Sequence, residues 1–103
     1  MARIPRVVSI NGVKYKIKRL ETRAHYGEVC SIEKYIALNL EDGREELPWT
    51  LLHEILHAII AENKLFVRKE EQLVTGLERG LMDVLTNNPK VAEYILGAVA
   101  KKP

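Results

Sequence analysis

The chain has 103 residues, 47% of them hydrophobic and 29% charged, with a net charge of +2. That length allows one domain with a modest core and excludes a deep, multi-walled cleft, while the composition excludes a disordered chain and the weak charge does not by itself argue for nucleic acid. A single cysteine, Cys30, excludes an internal disulfide and suits a reducing compartment, and no apolar run approaches the roughly 20 residues of a membrane span, so a cytoplasmic location is expected.

The expected fold class is α+β: a small antiparallel β-sheet followed by about three helices, in one domain over residues 1–103. Residues 1–47 read as the sheet region and residues 48–103 as the helical region. In "RVVSINGVKYKIKRL", Asn11-Gly12 is the favoured pair for a tight hairpin turn, because both central residues need positive φ. Val13, Tyr15 and Ile17, with Arg19 in phase, alternate with Lys14, Lys16 and Lys18, giving one apolar face and one lysine face. The lysine row reads as the solvated face of a sheet rather than a nucleic-acid stripe, since the interleaved Tyr15 points the other way. "GEVCSIEKYIALNL" reads as a further strand or a bent pair, with Cys30 as a small buried residue, and "EDGREELP" as a loop.

Pro48 suits the first turn of a helix, with Trp49 expected as a core anchor beside it. Leu51, Leu52, Ile55, Leu56, Ile59 and Ile60 then mark one helical face. The second helix starts in "RKEEQ" and carries Leu73, Val74, Leu77, Leu81, Val84 and Leu85 on one face, with Gly76 and Gly80 expected to let helices approach closely. Asn88-Pro89 opens a third helix.

Inside the first helix stand His53, Glu54 and His57, in the pattern H-E-x-x-H. Residues i and i+4 lie one above the other on a helix. Two imidazoles so placed can reach one Zn²⁺ at about 2.0–2.1 Å. Glu54 points about 100° away around the helix. It is placed there to take a proton from a water that the metal activates. On a wheel centred on Leu52 the histidines fall at about 100° and 140°, the border of the apolar face, as ligands lining a cleft should.

A catalytic zinc site usually has three protein ligands. No histidine follows His57, and His25 and Cys30 lie upstream at positions the sequence does not fix. Among the downstream carboxylates, phase and level both favour Glu70. On a wheel begun at Leu73, the apolar face of the second helix centres near 60°, where Glu70 also falls, while Glu71 and Glu78 lie near an edge. If residues 63–65 form the turn of a helical hairpin, His57 and Glu70 stand at nearly the same height, and Glu78 about 12 Å further along. Glu71 is the alternative third ligand. Two acidic residues at a helix N-terminus are also what the helix dipole alone would favour.

With these residues the chain resembles the zinc metallopeptidases that carry H-E-x-x-H and a glutamate as third ligand, the gluzincin type. More narrowly, it looks like the minimal bacterial and phage peptidases of the ImmA/IrrE type. "TLLHEILHAI" matches their active-site helix and "EEQLVTGLERGL" their glutamate helix, and the resemblance covers roughly residues 27–89. It implies a minimal zincin-like fold, a Zn²⁺ cofactor and endopeptidase action on a protein or peptide, often a regulator. The connection between His57 and Glu70 is short for this type, and no Tyr, His or Arg stands out as an oxyanion donor; His25, Tyr26 and Tyr94 are the candidates. An extended substrate is expected to pair with a strand edge within residues 29–40. The alternative is a catalytically silent zincin-like domain that binds a protein partner, with structural metal or none.

Overall fold

Asn11 and Gly12 both take positive φ, 52° and 83°. They close the hairpin of β1 (Val7–Ile10) and β2 (Val13–Arg19), whose antiparallel register pairs Ile10 with Val13 and Val7 with Lys16. The computed structural model describes residues 3–20, 26–40 and 46–100, the last three by backbone alone. "GEVCSIEKYIALNL" resolves into a second antiparallel pair, β3 (Gly27–Cys30) and β4 (Tyr35–Leu38). Three helices follow: α1 (Leu47–Glu62), α2 (Glu70–Asn87) and α3 (Pro89–Ala100). The molecule is thus a small α+β domain, a four-stranded sheet followed by three helices. The expected loop over residues 41–48 lies largely outside the described residues, as does His25.

The sheet order is β1-β2-β4-β3, and β2 pairs with β4 in parallel, Lys16 opposite Tyr35 and Arg19 opposite Leu38. The sheet is therefore mixed, where a wholly antiparallel one was expected. A tight turn dictates only the pairing within its own hairpin. How two hairpins join is decided by which strand can be buried on both sides. β4 is the apolar candidate: Ile36, Ala37 and Leu38 are all buried. A continuous apolar run suits an interior strand better than an edge.

The lysine face of β2 is exposed, while Tyr15 on the opposite face is fully buried. Tyr15, Ile36, Leu38, Leu47 and Ala58 form a core between the sheet and α1, with Leu51 and Ile55 packed against it. Each such large apolar side chain contributes on the order of 2 kcal/mol by leaving water. A second cluster, Leu56, Ile60 and Val74, joins α1 to α2. α1 is thus a middle layer, with the sheet on one side and α2 on the other. The two layers are pinned at the far end of α1. There the Tyr15 hydroxyl donates to Glu62 Oε2 at 2.5 Å, and Lys34 Nζ donates to the same oxygen at 2.6 Å.

β3 is an outer strand, and α1 passes close beneath it at Gly27. A Cβ on Gly27 would stand 2.8 Å from Thr50 Cγ2, 3.1 Å from the Ala37 carbonyl oxygen and 3.4 Å from Glu54 Cγ. Val74 is the buried residue of α2, and α3 packs on α2 alone among the described elements. Trp49 is more than a third exposed, so it does not anchor the core. Gly76 and Gly80 face open space rather than a neighbouring helix. Among the described residues, no helix is long and apolar enough to cross a membrane.

Candidate metal centre

α1 presents His53 and His57 one turn apart at its border with α2, their ring centroids 5.0 Å apart and their planes inclined by 64°. The sequence produces this directly, because a four-residue spacing stacks two side chains on one helical face. What α2 offers to these rings depends on how it is rotated. On the wheel begun at Leu73, Val74, Glu78 and Glu71 lie at about 100°, 140° and 160°. These three meet α1 together with Glu70 at about 60°, whereas Leu77, Leu81 and Val84 further along the same face stay exposed. α2 is therefore turned so that the acidic edge of its apolar face lies against the histidines.

Each imidazole is held at both nitrogens. His53 Nδ1 lies 2.8 Å from Glu78 Oε1, and His57 Nδ1 lies 2.5 Å from Glu70 Oε2. On the other edge of the rings, Glu71 Oε1 meets His53 Nε2, and Glu71 Oε2 stands 3.4 Å from His57 Nε2. One ligand atom each from His53, His57 and Glu71 lies within 4.8 Å of the others, close enough to surround one ion. The structure thus gives Glu70 and Glu71 different places. Glu70, favoured as third ligand from its phase and level, sits behind His57 on Nδ1; Glu71, the alternative, shares the Nε2 side with both rings. Glu70 is level with His57 as expected, but the rotation of α2 carries its neighbour to the open edge.

The donor set fits a divalent cation. With Nδ1–H of each ring donating to Glu78 or Glu70, a neutral imidazole turns its Nε2 lone pair toward the Glu71 carboxylate. Acceptors then face acceptors, and a positive charge must lie among them, whether a proton on the imidazole or a metal ion. Carboxylates on the far nitrogens are the usual means of fixing the tautomer and raising the basicity of metal-binding histidines. Burial works against the charged form of His53. The hydrogen bond that His53 donates to Glu78 and the charges of Glu71 and Glu54 outweigh it, and its pKa is raised.

Glu54 points the other way, toward the sheet. It is 8% exposed and packs beneath Gly27. Burial raises its pKa, against the pull of His53 and His57 and with help from Glu71 and Glu28. The carboxyl is therefore poised to exchange a proton nearer neutrality than a surface glutamate.

Glu78 is the residue that the level argument set aside. Measured against His57 it is too far along α2, but α1 runs antiparallel and His53 stands one turn back, about 6 Å. Testing each carboxylate against both histidines would have found it. Cys30 ends β3 outside the cluster, its Sγ 3.4 Å from the Glu33 amide. Among the described residues, neither Tyr26 nor Tyr94 hydrogen-bonds to the cluster, and Tyr94 is largely exposed on α3. β4 is paired on both sides, so of residues 29–40 only the β3 portion presents a strand edge. The chain matches no protein-family model, and no curated protein or solved structure matches it.

Proposed function

We propose that this chain is a minimal zinc-dependent peptide hydrolase. His53, His57 and Glu71 would hold Zn²⁺, and Glu54 would be the general base. The observation that carries the reading is that ligand atoms of His53, His57 and Glu71 lie within 4.8 Å of one another, Glu71 facing Nε2 of both rings, with the buried Glu54 beside His53 on the same helix. When bound, Zn²⁺ supplies Lewis-acid polarisation and lowers the pKa of water. The chain's own groups do the rest. Glu78 and Glu70 keep the Nδ1 protons and so present both Nε2 lone pairs. Glu54 takes a proton from the attacking water and passes it to the leaving amine, for which a raised pKa suits it. The edge of β3, unpaired among the described strands and close to Glu54 at Gly27, supports an extended peptide as substrate, since main-chain pairing would lay the peptide along the site.

One observation favours the second reading, a domain that binds a partner without cutting it. Among the described residues, no Tyr, Lys or Arg side chain is hydrogen-bonded or ion-paired to His53, His57 or their glutamates, so no oxyanion donor is tied to the cluster. Glu54→Gln separates the two. Under the first reading the variant keeps one zinc per chain by elemental analysis and loses hydrolysis of a peptide library. Under the second, function survives the substitution. Absence of zinc in protein purified without chelator and reconstituted with Zn²⁺ would sink the metal assignment.

A further inference from the structure

Among the described residues, the rotation that brings Glu71 and Glu78 to α1 leaves the leucines and valine at the centre of the apolar face of α2 largely uncovered. Leu73, Leu77, Leu81, Val84 and Leu85 are all exposed, Leu77 by 44%. The same holds on α3 for Val91, Ile95 and Leu96, with Ile95 exposed by 52%. At roughly 150–200 Å² for a fully exposed Val, Ile or Leu, these eight leave on the order of 600 Å² of apolar surface in water. That is the upper end of the largest apolar patch on a typical monomer, a patch that is often functional. Among the described elements α3 packs on α2 alone, and a helix of 12 residues is marginal in water without a packed face.

We infer that this face is a dimer interface, on which the α2–α3 segment of a second copy of this chain docks to complete a helical bundle. Four features choose the occupant. Leu77, Leu81 and Val84, exposed and four and then three residues apart, follow the a and d spacing of a heptad, which receives another helix rather than an extended peptide. The positions flanking this seam are Leu73, Gly80 and Asn87 on one side and Leu85 on the other, while Glu78 is turned to His53. Two identical copies therefore meet without like charges opposed. The apolar area, with its polar margin, approaches the roughly 800 Å² per partner of a stable interface. A lipid surface fits poorly, because α2 and α3 carry Glu70, Glu71, Glu78, Asp83 and Glu93 against Arg79 and Lys90, whereas membrane-surface helices are rich in lysine and arginine.

Sedimentation equilibrium of the full chain at about 10–100 µM tests this. The expected species has twice the chain mass of 11.8 kDa. Val84→Lys with Ile95→Lys should raise the dissociation constant by at least ~100-fold, since both charges enter the seam. Asp83→Lys, on the polar face, should leave the dimer intact. Amide exchange on the unaltered protein gives an independent reading: protection in the second half of α2 and in α3 should rise with protein concentration. A monomer at about 100 µM, a dimer that survives the double lysine variant, or a dimer whose formation leaves α2 and α3 exchange unchanged would each overturn the inference.

Discussion

His53 and Glu78 lie 25 residues apart in the chain, yet Nδ1 and Oε1 are 2.8 Å apart across the α1–α2 interface. With the matching His57–Glu70 pair, this bond gives the three glutamates of α2 different work. Zinc affinity should separate them. Glu71→Ala removes a donor from the Nε2 side and should weaken binding by ~1,000-fold or more, while Glu70→Gln and Glu78→Gln should each cost about 10–100-fold. Competition with a chromophoric chelator reads all three. Equal losses for Glu70→Gln and Glu71→Ala would remove the distinction.

Glu54 makes a prediction about stability as well as activity. Its pKa is raised in the folded protein by burial, so the folded state holds its proton more tightly than the unfolded state. The sign follows: stability is full below the unfolded value and falls as pH rises through the folded one. Glu54→Gln removes that ionisation. In the metal-free protein it should raise Tm by a few degrees at pH 7, ~3 °C for a domain this size, and the gain should vanish toward pH 4. Calorimetry across that range checks it; a lower Tm for the variant at pH 7 would contradict the burial argument.

Glu62 titrates in the opposite sense. The Lys34 ammonium and the Tyr15 hydroxyl hold its pKa below the ordinary carboxylate value, while burial and Glu62 push Tyr15 up to about 12. The stabilisation from Glu62 is complete above its unfolded pKa and is lost as pH falls through the folded value. The stability difference between the parent protein and Glu62→Gln should therefore be constant near neutrality and shrink below about pH 4. Urea midpoints at several pH values measure it, and a difference that grows on acidification would show that the contacts at Tyr15 and Lys34 do not favour the carboxylate.

Gly27→Ala tests how closely α1 must pass beneath β3. The new methyl would stand 2.8 Å from Thr50 Cγ2 and 3.1 Å from the Ala37 carbonyl oxygen. Overpacking of this kind costs about 1–3 kcal/mol. Since Glu54 Cγ is the third atom in reach, the hydrolysis proposed for this site should fall even where the variant remains folded. Gly27→Ala with Thr50→Ser relieves the methyl clash and should recover stability; a single variant as stable as the parent would show that the approach is not tight.

Much of this was readable from residue order alone. Asn11-Gly12 determined one hairpin, because few pairs accept positive φ at both positions. The four-residue spacing determined that His53 and His57 would stack, because helix geometry is local. The third helix began where Asn88-Pro89 placed it. The tertiary structure decided what depends on the meeting of distant segments. β4 became interior, and the sheet mixed, because Ile36 to Leu38 are best buried on both sides. The connection from α1 to α2 holds Lys64 and Lys69 in the left-handed region, at φ 52° and 56°, a conformation that no glycine advertised. The rotation of α2 moved Glu71 to the open side of the rings and Glu70 behind His57. A hydrophobic wheel shows which face of a helix avoids water, but not how two neighbours divide that face. Here α1 took its acidic edge and left the apolar centre to another surface.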